Sequence, residues 1–193
     1  TDYATVKTMS LEAAKEAGLY EVIGEAVDDA YMEELKKQVI HQDAIDQMNK
    51  DLKIVYSPLH GTGNIPVRRI LKELGFENVY VVKEQELPDG NFPTVSYPNP
   101  EAKEAFELGL KLAKDVDADL VLATDPDADR LGVYVKDTKS GEYKVLTGNM
   151  SGCLLADYEI SQTKAVKGLP KDGCLIKSIV TSNMAKAIAE SYG

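Results

Sequence analysis

From Lys53 onward, short apolar runs alternate with stretches whose apolar residues recur at helical spacing. Lys53–Ser57, Val79–Val82, Asp119–Thr124 and Leu131–Val135 read as strands. Val67, Ile70, Leu71 and Leu74 fall on one helical face between the first two. Ala102, Ala105, Phe106, Gly109, Leu112 and Ala113 do the same between the second and third. A sheet threaded by helices must bury both faces, so its strands lack strict polar alternation. The alternation therefore predicts a layered α/β/α domain with a mostly parallel mixed sheet.

The flanks are weaker. Residues 1–27 read as a linker with one short helix near Leu11 to Ala17, interrupted by Gly18 and Gly24. Asp28 and Asp29 open a helical stretch that runs to about Asn49, early acids favouring a helix N-terminus. Gly75 is placed to end the helix after Leu74 in a left-handed conformation. Asn99 with Pro100 reads as an N-cap and first helical residue. Beyond the polar turn at Asp137–Glu142, Tyr143–Leu146 and Cys174–Val180 read as strands, and Thr147–Gln162 and Ser182–Tyr192 as helices. These features divide the chain into a linker (1–27), an α/β metal-binding domain (28–138) and the truncated beginning of a second α/β unit (139–193). The chain of 193 residues opens without Met and stops where a further strand would begin, as an excised piece would.

Composition narrows the function classes. The formal net charge of −10 repels a phosphate backbone and argues against nucleic-acid binding. No apolar run approaches the roughly 18 residues of a membrane span, and residues 1–10 carry no secretory signal pattern. Cys153 and Cys174 lie far apart without partnering His or Cys residues, the pattern of two reduced, partly buried thiols in a cytoplasmic protein.

The chemistry concentrates in Asp125-Pro126-Asp127-Ala128-Asp129-Arg130. Three carboxylates alternate directly after an apolar strand and would repel one another without a cation between them. Hard oxygen donors delivered to one point suit Mg²⁺, which leaves room for phosphate oxygens. The adjacent arginine can grip phosphate with a forked pair of hydrogen bonds. A calcium EF-hand is excluded, because Arg130 stands where that loop needs Gly and Lys136 where it needs a bidentate Glu. An aspartyl-nucleophile phosphatase also begins with a strand and an Asp-x-Asp pair, and a non-catalytic metal-binding module needs no more than the three acids; both stay open at this point. His60-Gly61-Thr62-Gly63-Asn64 opens a helix after a strand. That arrangement can bring backbone N–H groups to an anion, or can simply be a tight turn with a structural His. Both this loop and the acidic loop follow carboxyl ends of strands, where ligands collect in α/β sheets.

The motifs also occur in a telling order. Ser57-Pro58-Leu59-His60-Gly61-Thr62-Gly63 is followed by Leu87-Pro88-Asp89-Gly90-Asn91-Phe92-Pro93, Pro98-Asn99-Pro100-Glu101, Asp125–Arg130 and Leu146-Thr147-Gly148-Asn149. In this order the chain resembles the α-D-phosphohexomutase superfamily, nearest its bacterial phosphoglucomutase and phosphopentomutase-like branch, over almost its whole length. The resemblance implies a four-domain cytoplasmic enzyme of which this chain holds the second domain and the start of the third. It assigns Asp125, Asp127 and Asp129 as Mg²⁺ ligands, Arg130 as a catalytic residue beside a phosphoserine of the first domain, and His60 as a substrate-binding residue. It implies a phosphorylated sugar substrate and a hexose 1,6-bisphosphate intermediate that doubles as activator. The remaining partners are the missing domains of the same polypeptide. The family's Thr-x-Ser-His-Asn-Pro serine loop is absent from these residues, since Thr181-Ser182-Asn183 lacks the His. The chain alone is therefore expected to be inactive.

Overall fold

In the computed structural model, which describes residues 2–193, the apolar runs become β1 (Lys53–Ser57), β2 (Asn78–Val81), β3 (Leu120–Thr124), β4 (Leu131–Lys136) and β5 (Tyr143–Leu146). They form one sheet in the order β2-β1-β3-β4-β5. β1 pairs in parallel with both β2 and β3, while β4 and β5 are added antiparallel. The fold is thus α/β on a mixed sheet with a parallel half and an antiparallel half.

The parallel half carries two helical crossovers, α4 (Asn64–Glu73) from β1 to β2 and α5 (Glu107–Val116) from β2 to β3. The first steps outward from β1 and the second steps back across it. Since such crossovers are right-handed, the two helices must lie on opposite faces. Glycine packing bears this out. A Cβ on Gly109 of α5 would lie 3.1 Å from Val121, with Val55 and Val82 nearby. A Cβ on Gly63, at the start of α4, would meet Tyr56 and Thr124. Val55 and Tyr56 are neighbours on one strand and so point to opposite faces.

The core sits under α5. Val55, Val121 and Ala123 of the sheet pack with Val82, Ala105, Phe106, Ala113 and Tyr134. The Phe106 and Tyr134 rings meet at 4.7 Å between centroids, tilted by 49°. Full burial of a side chain the size of Phe106 stabilises by about 1.5–3 kcal/mol. Asp117 ends α5 at φ 55°, a left-handed C-terminal residue.

Three segments differ from the sequence reading. The helical stretch expected over residues 28–49 is two helices, α2 (Gly24–Lys36) and α3 (Gln42–Met48), preceded by α1 (Leu11–Glu16). Successive three-residue closures at Gln38 and Val39 tighten and end α2. Asn99 and Pro100 do not start a helix. Asn99 caps a turn by accepting the Glu101 N–H, and a 3-10 turn (Lys103–Phe106) then leads into α5. The strand expected at Cys174–Val180 has no pairing partner among the described residues. Ile176 and Ile179 are 90% and 98% exposed there. The segment lies instead between α6 (Gly148–Val166) and α7 (Asn183–Tyr192), which pack on each other.

The Asp137–Glu142 turn joins β4 to β5, so β5 remains on the same sheet. Thr147 and Ser182 cap α6 and α7 through their hydroxyls. Cys153 is half-buried and Cys174 exposed, both as free thiols. No described helix is long and apolar enough to cross a membrane.

Candidate metal and phosphate site

The strand order reverses its direction of winding at β1 and β3. The carboxyl ends of these two parallel strands therefore sit side by side at the switch point, where open α/β sheets bind ligands. The acidic loop follows β3 and the His60 loop follows β1, so both predicted loops fall on one rim. At the base, Tyr56 Oη and Thr124 Oγ1 share a buried hydrogen bond of 2.9 Å.

The acidic loop folds around its first carboxylate. Asp125 is 8% exposed, and its Oδ1 accepts the Arg130 N–H at 2.9 Å. The Ala128 N–H returns to the Asp125 carbonyl at 3.0 Å, with Ala128 at φ 61°. This turn brings carboxylate oxygens of Asp125, Asp127 and Asp129 within 4.8 Å of one another, Asp125 buried and the other two exposed. Arg130 Nε lies 3.6 Å from Asp125 Oδ2 and 3.8 Å from Asp129 Oδ1. Both distances exceed a direct hydrogen bond, so the half-exposed guanidinium keeps donors for an incoming anion. The donor set is hard, anionic oxygen, which fits Mg²⁺ and not a thiolate- or imidazole-seeking metal.

The loop after β1 is built differently. Leu59 and His60 are consecutive left-handed residues, at φ 46° and 61°. Thr62 donates both its N–H (2.8 Å) and its hydroxyl (3.1 Å) to the Pro126 carbonyl, joining the two loops between Asp125 and Asp127. Gly63 then leads into α4 without a side-chain cap, and its missing Cβ makes room for Ala128.

Four of the five sequence-predicted residues, Asp125, Asp127, Asp129 and Arg130, form one cluster. His60 stands beside it, 5% exposed and facing the Leu87–Thr94 segment. Its Nδ1 is 3.1 Å from the Leu87 carbonyl and its Nε2 2.9 Å from Thr94 Oγ1. Phe92 packs edge-on against the ring. Arg68 is engaged by Glu86 and Asn64, and Lys177 by the carbonyls of Ser178 and Thr181. Sequence reasoning missed Gln85 altogether and, within the His60–Asn64 loop it singled out, the pairing role of Thr62. A lone hydroxyl and a lone amide carry no periodic signal, and only the tertiary approach of the loops gives them partners.

Residues 29–141 match the family described as phosphoglucomutase/phosphomannomutase, alpha/beta/alpha domain II. The chain is 42% identical over 142 residues to a probable phosphomannomutase of Haemophilus influenzae, covering 74% of this chain and 28% of that protein. It is 38% identical over 174 residues to the phosphoribomutase of Saccharomyces cerevisiae, covering 84% and 28%. It is 40% identical over 176 residues to a phosphoglucomutase of Staphylococcus saprophyticus, covering 91% and 30%. Among solved structures, a phosphoglucomutase/phosphomannomutase family protein of Burkholderia thailandensis aligns with a TM-score of 0.52 at 26% identity, over 71% of this chain and 26% of that one. A putative phosphomannomutase of Thermus thermophilus shares the fold, with a TM-score of 0.52 at 22% identity over 72% and 29%. The chain thus spans less than a third of the length of these relatives.

Proposed function

The chain belongs to the phosphoglucomutase/phosphomannomutase family, and we propose that it supplies the metal-binding half of a sugar-phosphate mutase active site. The observation that carries this reading is the convergence of Asp125, Asp127 and Asp129 beside Arg130 at the β1/β3 switch point. In this reading the whole protein converts a sugar 1-phosphate to a sugar 6-phosphate. A phosphoserine from a further domain passes its phosphoryl group to the sugar monophosphate, giving a hexose 1,6-bisphosphate. The other phosphate then returns to the serine. The relatives are named for glucose, mannose and ribose phosphates, which supports a phosphorylated sugar as the substrate class. In this reading residues 1–27 serve as linker, 28–138 as the metal-binding domain, with β5 completing its sheet, and the rest of 139–193 as the start of the next.

Asp125, Asp127 and Asp129 would hold Mg²⁺. When bound, Mg²⁺ supplies positive charge that polarises and orients a phosphoryl group. Asp125 is fixed by the Arg130 N–H and by burial, so it anchors the site, while the exposed Asp127 and Asp129 are free to close on a cation. Arg130 directs its remaining donors toward the same space and orients the anionic group held there. The uncapped N-terminus of α4 points further N–H groups toward this rim. His60 contributes by shaping the loop beside the substrate space. An aspartyl-nucleophile phosphatase would instead need Asp125 open to attack, which burial and the Arg130 bond disfavour.

Asp127→Ala in the whole protein is the test. Turnover of glucose 1-phosphate should fall by at least about 100-fold, with Mn²⁺ binding lost in parallel. Near-normal turnover in saturating Mg²⁺ would sink the assignment.

A further inference from the structure

Gln85 is fully buried at the end of a 3-10 turn (Lys83–Gln85) that follows β2, and its side-chain amide bridges the end of β1 to the Leu87–Thr94 segment. Its Oε1 accepts the Ser57 hydroxyl at 2.6 Å, and its Nε2 donates to Thr94 Oγ1 at 3.2 Å. The contacts define a directed chain. Ser57 Oγ accepts the Leu59 N–H at 3.1 Å. His60 Nδ1 faces the Leu87 carbonyl, which can only accept, so in the neutral ring Nε2 accepts the Thr94 hydroxyl. The Gln85 carbonyl also accepts the His60 N–H at 2.9 Å. One buried residue therefore grips the Leu59-His60 corner from its side chain, through Thr94, and from its backbone.

That corner is the strained part of the rim, with two consecutive non-glycine residues at positive φ. Such conformations persist only where the surroundings over-determine them, and they collect at functional sites. A buried amide costs desolvation that an apolar side chain would avoid, so its bonds do something that packing alone would not. Of the next residues out, Gly61 leaves room for Pro126 and Thr62 holds its carbonyl, between Asp125 and Asp127.

We propose that Gln85 is a positioning residue for the metal loop, acting through the Ser57–Thr94–His60 network and the Thr62–Pro126 bonds without touching ligand. This rests on the reading of Asp125, Asp127 and Asp129 as Mg²⁺ ligands.

The test uses the whole protein and measures Mn²⁺ binding directly from the free-ion resonance signal, alongside kcat and KM. Gln85→Met keeps the volume and removes both side-chain bonds. It should weaken Mn²⁺ binding by about 10- to 100-fold, as loss of outer support typically does, and lower kcat while KM for the sugar phosphate holds within about twofold. Gln85→Glu separates positioning from packing. Its protonated form restores both bonds, whereas its carboxylate cannot donate to Thr94. Its Mn²⁺ affinity relative to the unmodified protein should start near unity and fall as the pH is raised from about 5 to about 9, the range over which a buried Glu titrates. Asp127→Ala is the control: retained Mn²⁺ binding there refutes the metal reading itself. Loss in Asp127→Ala with unchanged binding in Gln85→Met refutes the positioning role alone. If Gln85→Met does not fold, a pH-independent Gln85→Glu ratio refutes it.

Discussion

Gly61 decides how closely the two site loops can approach. A Cβ there would lie 2.3 Å from Pro126 Cα and 2.4 Å from its carbonyl oxygen, both backbone atoms that cannot swing aside. Gly61→Ala must therefore push the acidic loop outward or distort the corner at His60. It should destabilise the protein by about 1–3 kcal/mol, the usual range for forced overpacking, and raise the Mg²⁺ concentration for half-activation. Gly90→Ala, where a Cβ meets nothing within 4 Å, is the matched control and should be silent in both assays. Equal thermal unfolding of the two variants would mean that the rim yields and the contact is incidental. The glycines of this loop are visible in the sequence as an anion-facing turn. Their second role, clearance for another loop, depends on residues more than 60 positions away and leaves no local trace. Asp125, Asp127, Asp129 and Arg130 were legible for the opposite reason: the motif is local, so its spacing alone brings the groups together.

At the scale of elements, apolar runs located the strands of the sheet well, but their direction follows from connection length. Only Asp125–Arg130 separates β3 from β4, too few residues for the dozen or more that a parallel crossover needs. β4 therefore had to return antiparallel, and β5 follows it through another short turn. The Asn99-Pro100 signal failed because the chain there is held as a turn against β4, with Pro100 O where a Cβ of Gly132 would stand. Tyr143 of β5 ties the antiparallel half to α5. Its hydroxyl sits 2.9 Å from the Ala113 carbonyl and 2.6 Å from that of Ala118, at the end of the helix. Tyr143→Phe should cost about 1–3 kcal/mol, because the Ala118 carbonyl loses this donor while that of Ala113 keeps backbone N–H partners. Denaturant unfolding near neutral pH measures this. Burial pushes the Tyr143 phenol above its ordinary value of 10. The fold therefore favours the protonated form, and its stabilisation is complete below the unfolded pKa and lost as pH rises through the folded one. The gap between the two proteins should narrow above about pH 10. A gap that persists unchanged at high pH would count against the hydroxyl as its source.

At the scale of the molecule, the order of five motifs made the family legible, since no single motif carries it, and the match over residues 29–141 contains the first four of them. The Cys174–Val180 run was misleading because an apolar, β-prone segment becomes a strand only beside another strand. Among the described residues none flanks it, and Ile176, Ile179 and Val180 face solvent. The site has the same one-sided character. Its exposed groups, Asp127, Asp129 and Arg130, face solvent, and the serine motif of the resemblance occurs nowhere in the 193 residues. Phosphoryl transfer depends on positioning donor, acceptor and charge together, and in the proposed reading this chain supplies the charge while a further domain supplies the donor. The purified chain should therefore give no detectable conversion of glucose 1-phosphate to glucose 6-phosphate, even in saturating Mg²⁺ with added glucose 1,6-bisphosphate. It should still bind Mn²⁺, more weakly than the whole protein, because three carboxylates remain while the phosphate oxygens that complete the coordination are missing. Mn²⁺ binding that disappears in Asp127→Ala, together with silent turnover, is the expected pair of results. Sustained turnover by the chain alone would overturn the proposed division of labour, since the phosphoryl donor would then have to lie within these residues.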